Sequence, residues 1–268
     1  MMPAARPAMA FGWGALIGAL GGLIGLGGAE FRLPVLIGSF RFAALEAIIV
    51  NKAMSLVIVA SALPFRAGTV PFGAIADHWS VIVNLLAGSL LGAWFGAGAA
   101  ARMKSTSLYR VIALLLVGMA AVLLFGHDAD GSGVPLTDGT ARAIFGIVAG
   151  VVIGVVASLL GVAGGELLIP TLVLLFGADI KLAGSLSLAI SLPTMIVGFT
   201  RYSRDDSFAV LGRNRRFVLV MAAGSMAGSF IGGLLLGIVP ATILLPGLAA
   251  VLLISAVKVW RHAHAIAT

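Results

Sequence analysis

Five stretches of the chain run on without a charged side chain: residues 79–101, 111–126, 143–165, 217–239 and 241–257. A helix needs about 20 apolar residues to cross the hydrocarbon core of a bilayer, and tilt absorbs modest differences in length. Runs of this kind predict membrane-crossing helices. A transmembrane barrel would instead alternate over segments of about ten residues, and no such segments are present. The pattern predicts helical segments over 11–28, 31–40, 44–64, 80–100 and 108–125, and again over 143–164, 167–177, 183–200, 217–238 and 242–258. Between the two sets, HDADGSGVPLTDGTA (127–141) is polar and rich in turn formers, so it reads as a linker.

The two sets are copies of one design. Moving the sequence by 136 positions lays 18–55 on 154–191 without a gap. Gly18/Gly154, Gly25/Gly161, Gly28/Gly164, Glu30/Glu166, Pro34/Pro170 and Ser55/Ser191 then coincide. The same shift carries GSLLGAWFG (88–96) onto GSMAGSFIG (224–232). The expected organisation is a first transmembrane repeat over 1–126, an extracytoplasmic linker over 127–141 and a second repeat over 142–268. The opening MMPAARPAMAFGWGALIGAL is expected to be an uncleaved first helix, because its apolar run continues into the glycine cluster.

Composition sharpens the class. The chain is 60% hydrophobic and 10% charged, with a mean hydropathy of +1.15, whereas a soluble domain carries roughly 25% charged residues. Cysteine is absent, so there is no disulfide framework and no thiolate metal site. The net charge of +7 does not point to nucleic acid, because the basic residues collect in loops between apolar runs, as the positive-inside rule requires. One such loop holds Arg102, Lys104 and Arg110; another holds Arg201, Arg204, Arg213, Arg215 and Arg216. Placing both loops and the Lys258/Arg261 tail in the cytoplasm puts the linker outside. Each half must then cross an odd number of times. The expected fold is an all-α polytopic membrane protein of two inverted-topology repeats, each with a broken or re-entrant first helix pair plus three full transmembrane helices.

Two stretches interrupt the oily pattern, GLGGAEFRLP (25–34) and GVAGGELLIP (161–170). Glycine loosens the backbone and proline removes a donor, so neither stretch makes one clean helix. Backbone groups left open at membrane depth are tolerated only where protein or a water-filled cavity satisfies them. Paired breaks in two related halves point to a midplane substrate site of a secondary transporter. The open N–H groups starting each short helix favour an anion. Gly27, Gly28, Ala29, Gly164 and Gly165 are accordingly expected to bind substrate, with Pro34 and Pro170 breaking the helix. Gly18, Gly22, Gly88, Gly92 and Gly96 instead fit the small-residue pattern of close helix packing.

These two stretches resemble the paired G-x-G-G-G-x-x-x-x-P signature of the TauE/SafE sulfite exporter family, also called the 4-toluenesulfonate uptake permease family. The resemblance covers nearly the whole chain, with Ala29 and Ala163 each replacing a glycine of the signature. It implies a bacterial inner-membrane carrier of sulfite, sulfonates or related small organosulfur anions.

Ionisable groups inside a membrane are functional hypotheses by default. Glu30 and Glu166 stand at the breaks of both halves. A low-dielectric cavity disfavours the charged form of a carboxyl, which suits proton binding and release, so both are expected to couple protons to transport. The alternative is that each caps the N–H groups freed by the break. Lys52, opposite Leu188 in the other repeat, is expected to bind the anion or to pair with Glu30, against snorkelling as the plainer reading. Arg32, opposite Leu168, fits cavity lining and an interfacial position equally well. Asn51, Ser55, Ser187 and Ser191 occupy matching positions and offer neutral donors to an oxyanion, although serines in membrane helices more often bond their own backbone. Trp13, Trp79 and Trp260 fall near expected membrane interfaces, and Trp94 reads as packing.

The sequence thus describes a secondary transporter of a small anion, proton-coupled, with its site where the repeats meet. It is expected to use no cofactor and no metal, and to have membrane lipid, protons and, as an option, a second copy in a homodimer as partners. The rivals are a cation or metal transporter using Glu30 and Glu166 as ligands, and a passive anion channel. No nucleophile–base cluster argues for an enzyme, and no P-loop argues for ATP-driven transport.

Overall fold

The computed structural model of the protein describes residues 7–23, 28–66, 72–125, 139–234 and 241–267. Among them there are helices and no strand: α1 (Pro7–Leu23), α2 (Ala29–Gly38), α3 (Ala44–Arg66), a short α4 (Phe72–Asp77), α5 (Trp79–Arg102) and α6 (Ser105–Phe125). After the linker come α7 (Gly139–Leu160), α8 (Gly165–Phe176), α9 (Ile180–Tyr202), a 3-10 turn (Asp206–Ala209), α10 (Val210–Arg213), α11 (Arg215–Leu234) and α12 (Ala241–Ala267). Each expected segment has its helix. The hydropathy pattern does not predict the short α4, the 3-10 turn or α10, because four to six residues are too few to show a period. Residues 127–138 of the linker lie outside the described residues.

Five helices carry windows long and apolar enough to cross a membrane: Ala44–Ser61, Trp79–Arg102, Ser105–Val122, Gly139–Leu160 and Leu182–Tyr202. The outer surface agrees. Phe95, Leu219, Phe230 and Leu234 stand exposed, while Glu30, Arg32, Asn51 and Lys52 are buried. A protein in water arranges these classes the other way round. The chain is an all-α, multi-pass membrane protein.

Glycine faces set the closest helix pairs. A Cβ at Gly18 would collide with the Ser225 carbonyl of α11, and one at Gly228 or Gly232 with the Ala15 or Ala19 carbonyl of α1. Against α7, Gly88 and Gly92 of α5 abut the Ile147 and Val151 carbonyls, while Gly150 and Gly154 abut Leu85 and Ser89. Without side chains between them, the backbones approach closely, as small-residue faces allow in membranes. The two pairs are the same contact. Adding 136 to α1 gives the matching α7 positions, and subtracting 136 from α11 gives those of α5. Partners exchange between the halves, as a two-fold relation requires.

Helix directions follow from these contacts. Residue numbers rise together along α1 and α11, and along α5 and α7, so each pair is parallel. Along α9 they also rise with α5: Thr194 shares a 2.7 Å hydrogen bond with Ser89, and Arg201 lies against Gly98. Both α7 and α9 therefore run with α5, and α8 carries the chain back between them. The basic segments gather at one end: Arg201 and Arg204 lie over Trp94, Arg213 pairs with Glu46 at 2.7 Å, and Arg110 lies over Trp260.

Candidate functional site

The short helices begin at left-handed glycines, Gly28 (φ 70°) and Gly164 (φ 83°), where an L side chain is strained. The residue at each cap position is a glycine and offers the helix start no side chain. The end of α7 is closed by Gly161 (φ 66°): its N–H donates to the Ser158 carbonyl at 3.2 Å and the Val162 N–H to the Ala157 carbonyl at 3.0 Å, a Schellman closure. The breaks thus arise at the glycines. Pro34 and Pro170 do not break the helix as expected but lie inside α2 and α8. The physical reason is position. The acceptor each would have served four residues earlier is the first-turn carbonyl of Glu30 or Glu166, so one helical hydrogen bond is forgone near the start and the rest of each helix continues.

Asn51, in the middle of α3, draws the two breaks together. Its amide donates to the Ala29 carbonyl at 3.0 Å and to the Leu160 carbonyl at 2.9 Å. Ser55, one turn on, donates to the Asn51 carbonyl at 2.8 Å and has the Gly161 carbonyl 3.4 Å away as its alternative acceptor. The start of α2 and the end of α7 therefore meet on one helix, in the interior.

At that junction the Glu30 and Glu166 carboxyls lie beside one another. Both Glu30 oxygens and Oε2 of Glu166 are buried without a hydrogen-bond partner among the described residues. Each carboxyl also stands beside its own backbone N–H at the start of its helix, so the capping reading stands next to the proton-coupling one. Arg32 is wholly buried and interior, not interfacial. It donates from Nε to Asn51 Oδ1 (2.7 Å), from Nη2 to Ser55 Oγ (2.6 Å) and from Nη1 to Ser225 Oγ of α11 (3.3 Å). Lys52 is equally buried, so it does not snorkel. Its amine donates to the Ala157 carbonyl at 3.3 Å and to Ser158 Oγ at 3.5 Å, and Glu30 accepts nothing from it.

The second half is built differently at the same positions. Ser187 donates to its own helix at the Gly184 carbonyl (2.9 Å), as serines commonly do. Ser191 Oγ is buried with no partner among the described residues, and Leu168 stands where Arg32 does. Gly165 is the first residue of α8, and Gly27 lies outside the described residues. Trp94 is more than packing, since Arg201 and Arg204 lie over its ring at 5.6 and 5.0 Å.

Sequence reasoning missed Ser225, which holds Arg32, and Ser158 with Tyr202, whose hydroxyl donates to the Ser158 carbonyl at 3.0 Å. Ser89 and Ser225 coincide under the 136 shift and both sit in buried polar contacts, so that match was the available signal. A cleft of about 640 Å³ between α6, α7 and α8 has apolar walls, with Val152, Pro170 and Leu174 among them, and holds none of the charged candidates.

A family model described as sulfite exporter TauE/SafE matches residues 10–259, and the chain belongs to that family. It is a membrane transporter of the sulfite-exporter class. No curated protein and no solved structure matches the chain.

Proposed function

We propose that this TauE/SafE chain is a secondary carrier of a small oxyanion of sulfur, coupled to protons, with its site where the two halves meet in a bacterial inner membrane. The halves act as inverted-topology repeats, 1–126 and 142–268, joined by an extracytoplasmic linker. One observation carries the reading: two left-handed helix starts at glycines spaced by 136 residues converge in the interior beside two buried cations and two buried carboxyls. Helix N-termini and cations favour an anion. Two buried carboxyls side by side are suited to taking up and releasing protons, so Glu30 and Glu166 carry the coupling. Lys52, Asn51, Ser55, Ser187 and Ser191 line the anion's path together with Gly27, Gly28, Ala29, Gly164 and Gly165.

The test is Glu30→Gln in proteoliposomes. Flux driven by a pH gradient is expected to disappear while anion exchange continues. Unaltered pH-driven flux in that variant removes the coupling role.

A second reading draws on the same buried carboxyls, which suit a cation ligand set. A cation carrier would move Na⁺ or a divalent ion at a rate indifferent to Lys52→Ala. Anion flux abolished in that variant, with no cation flux in the wild type, excludes it.

A further inference from the structure

Among the largest wholly buried side chains is a cation, Arg32, and it has no carboxylate acceptor among the described residues. Glu30 is near enough to feel its charge, yet the bonds Arg32 donates go to Asn51, Ser55 and Ser225 and none to Glu30. Asn51, Ser55 and Ser225 accept one bond each, and all three are neutral. A guanidinium has five N–H donors in a planar fork. Three are committed, so one remains on each terminal nitrogen among the described residues. Those two nitrogens are the pair that planar, two-oxygen anionic groups bridge.

The fold itself does not call for a cation there. The equivalent position of the second half is Leu168, buried to 1%. The positions equivalent to Asn51, Ser55 and Ser225 are Ser187, Ser191 and Ser89, all buried as well. The second half keeps the hydroxyls and does without the charge. A buried cation whose hydrogen-bond acceptors are all neutral is costly, so its presence in one half alone asks for a ligand.

We infer that Arg32 is the primary ligand of the transported oxyanion, bridging two of its oxygens through Nη1 and Nη2, with one anion bound per chain. Asn51 and Ser55 hold the guanidinium to the first half at 2.7 and 2.6 Å. Ser225 belongs to α11 of the second half and makes the longest of the three contacts, 3.3 Å. It is the contact an arriving oxyanion shares or displaces, so binding at Arg32 acts directly on the bond between halves. Lys52, one residue along α3, turns instead to Ala157 and Ser158 and stays outside this cradle.

The inference rests on the anion-carrier reading, and the experiment separates the two. Purified full-length protein is titrated with sulfite and with sulfoacetate, against acetate as a control, and thermal unfolding is followed. The wild type is expected to be stabilised progressively as ligand concentration rises. Arg32→Leu, which copies the second half, is expected to bind at least about 100-fold more weakly, as loss of two charge-assisted bonds implies. Arg32→Lys keeps the charge without the fork and is expected to bind roughly tenfold more weakly. If both folded variants bind as the wild type does, Arg32 is not the ligand and the carrier reading stands. If Arg32→Leu does not fold, unchanged affinity in Arg32→Lys equally rules Arg32 out as the ligand. A wild type shifted by neither sulfur anion overturns both.

Discussion

Lys52 and Gly198 form a pair in which an amine is given room by a missing side chain. A Cβ at Gly198 would stand 2.8 Å from Lys52 Cε and 3.0 Å from both Lys52 Nζ and Ser158 Oγ. All three are side-chain atoms, so Gly198→Ala wedges the amine and the Ser158 hydroxyl apart and leaves the backbone in place. The two hydrogen bonds that break are long, 3.3 and 3.5 Å. Replacing a helical glycine by alanine returns up to about 1 kcal/mol, so the melting temperature is expected to change little. Anion flux is expected to fall roughly tenfold, the scale of one displaced charge-assisted contact. A melting curve and a flux assay on the same preparation check the pair of outcomes; full flux with a displaced Lys52 would make that amine a packing group.

The helices are placed by where side chains are missing. Gly92 of α5 and Gly228 of α11 each face a backbone carbonyl across the contact, Val151 and Ala15 respectively, and backbone cannot swing aside. Gly92→Ala or Gly228→Ala is expected to force the pair apart, costing about 1–3 kcal/mol as overpacking does, with loss of folded yield or several degrees of melting temperature. Gly118 of α6 has nothing within 4 Å of an added Cβ, so Gly118→Ala is expected to leave stability equal or raised by up to about 1 kcal/mol. Equal losses in all three would refute packing by glycine faces. This scale was the most legible in the sequence, because glycines at four-residue spacing under a 136-residue shift record which surfaces touch. The breaks were legible for the same reason. The site was legible only as a set of residue types. That Asn51 bonds the Ala29 and Leu160 carbonyls, and that Arg32 reaches Ser225 across 193 positions, depends on helix contacts that no local pattern encodes. The prolines misled because their chemistry says where an amide is missing, not whether the rest of the helix continues past it.

For the molecule as a whole, the directions of α1 and α11, and those of α5, α7 and α9, are set by side-by-side contacts rather than by hydropathy alone. In the proposed topology α8 returns the chain between two parallel helices, so the first helix pair adds no net crossing to the second half, and α9, α11 and α12 supply an odd number. The ends of α5 and α9 lie together, Arg213 reaches Glu46 at the start of α3, and Arg110 meets Trp260 near the end of α12. These basic segments thus share one end, the arrangement that the positive-inside rule assigns to the cytoplasm. The proposed topology puts the end of α6 and the start of α7 at the opposite end, and with them the linker. The absence of cysteine makes this directly measurable, since any thiol introduced is the sole one in the chain. Lys104→Cys and Arg204→Cys are expected to react with a membrane-impermeant maleimide only after the cytoplasmic side is opened. Ser132→Cys is expected to react in intact cells whose outer barrier has been made permeable. Labelling of Lys104→Cys and Ser132→Cys from the same side would require an even number of crossings between them; α6 alone, at 21 residues, supplies one, and the inverted pairing of the halves would fall with it.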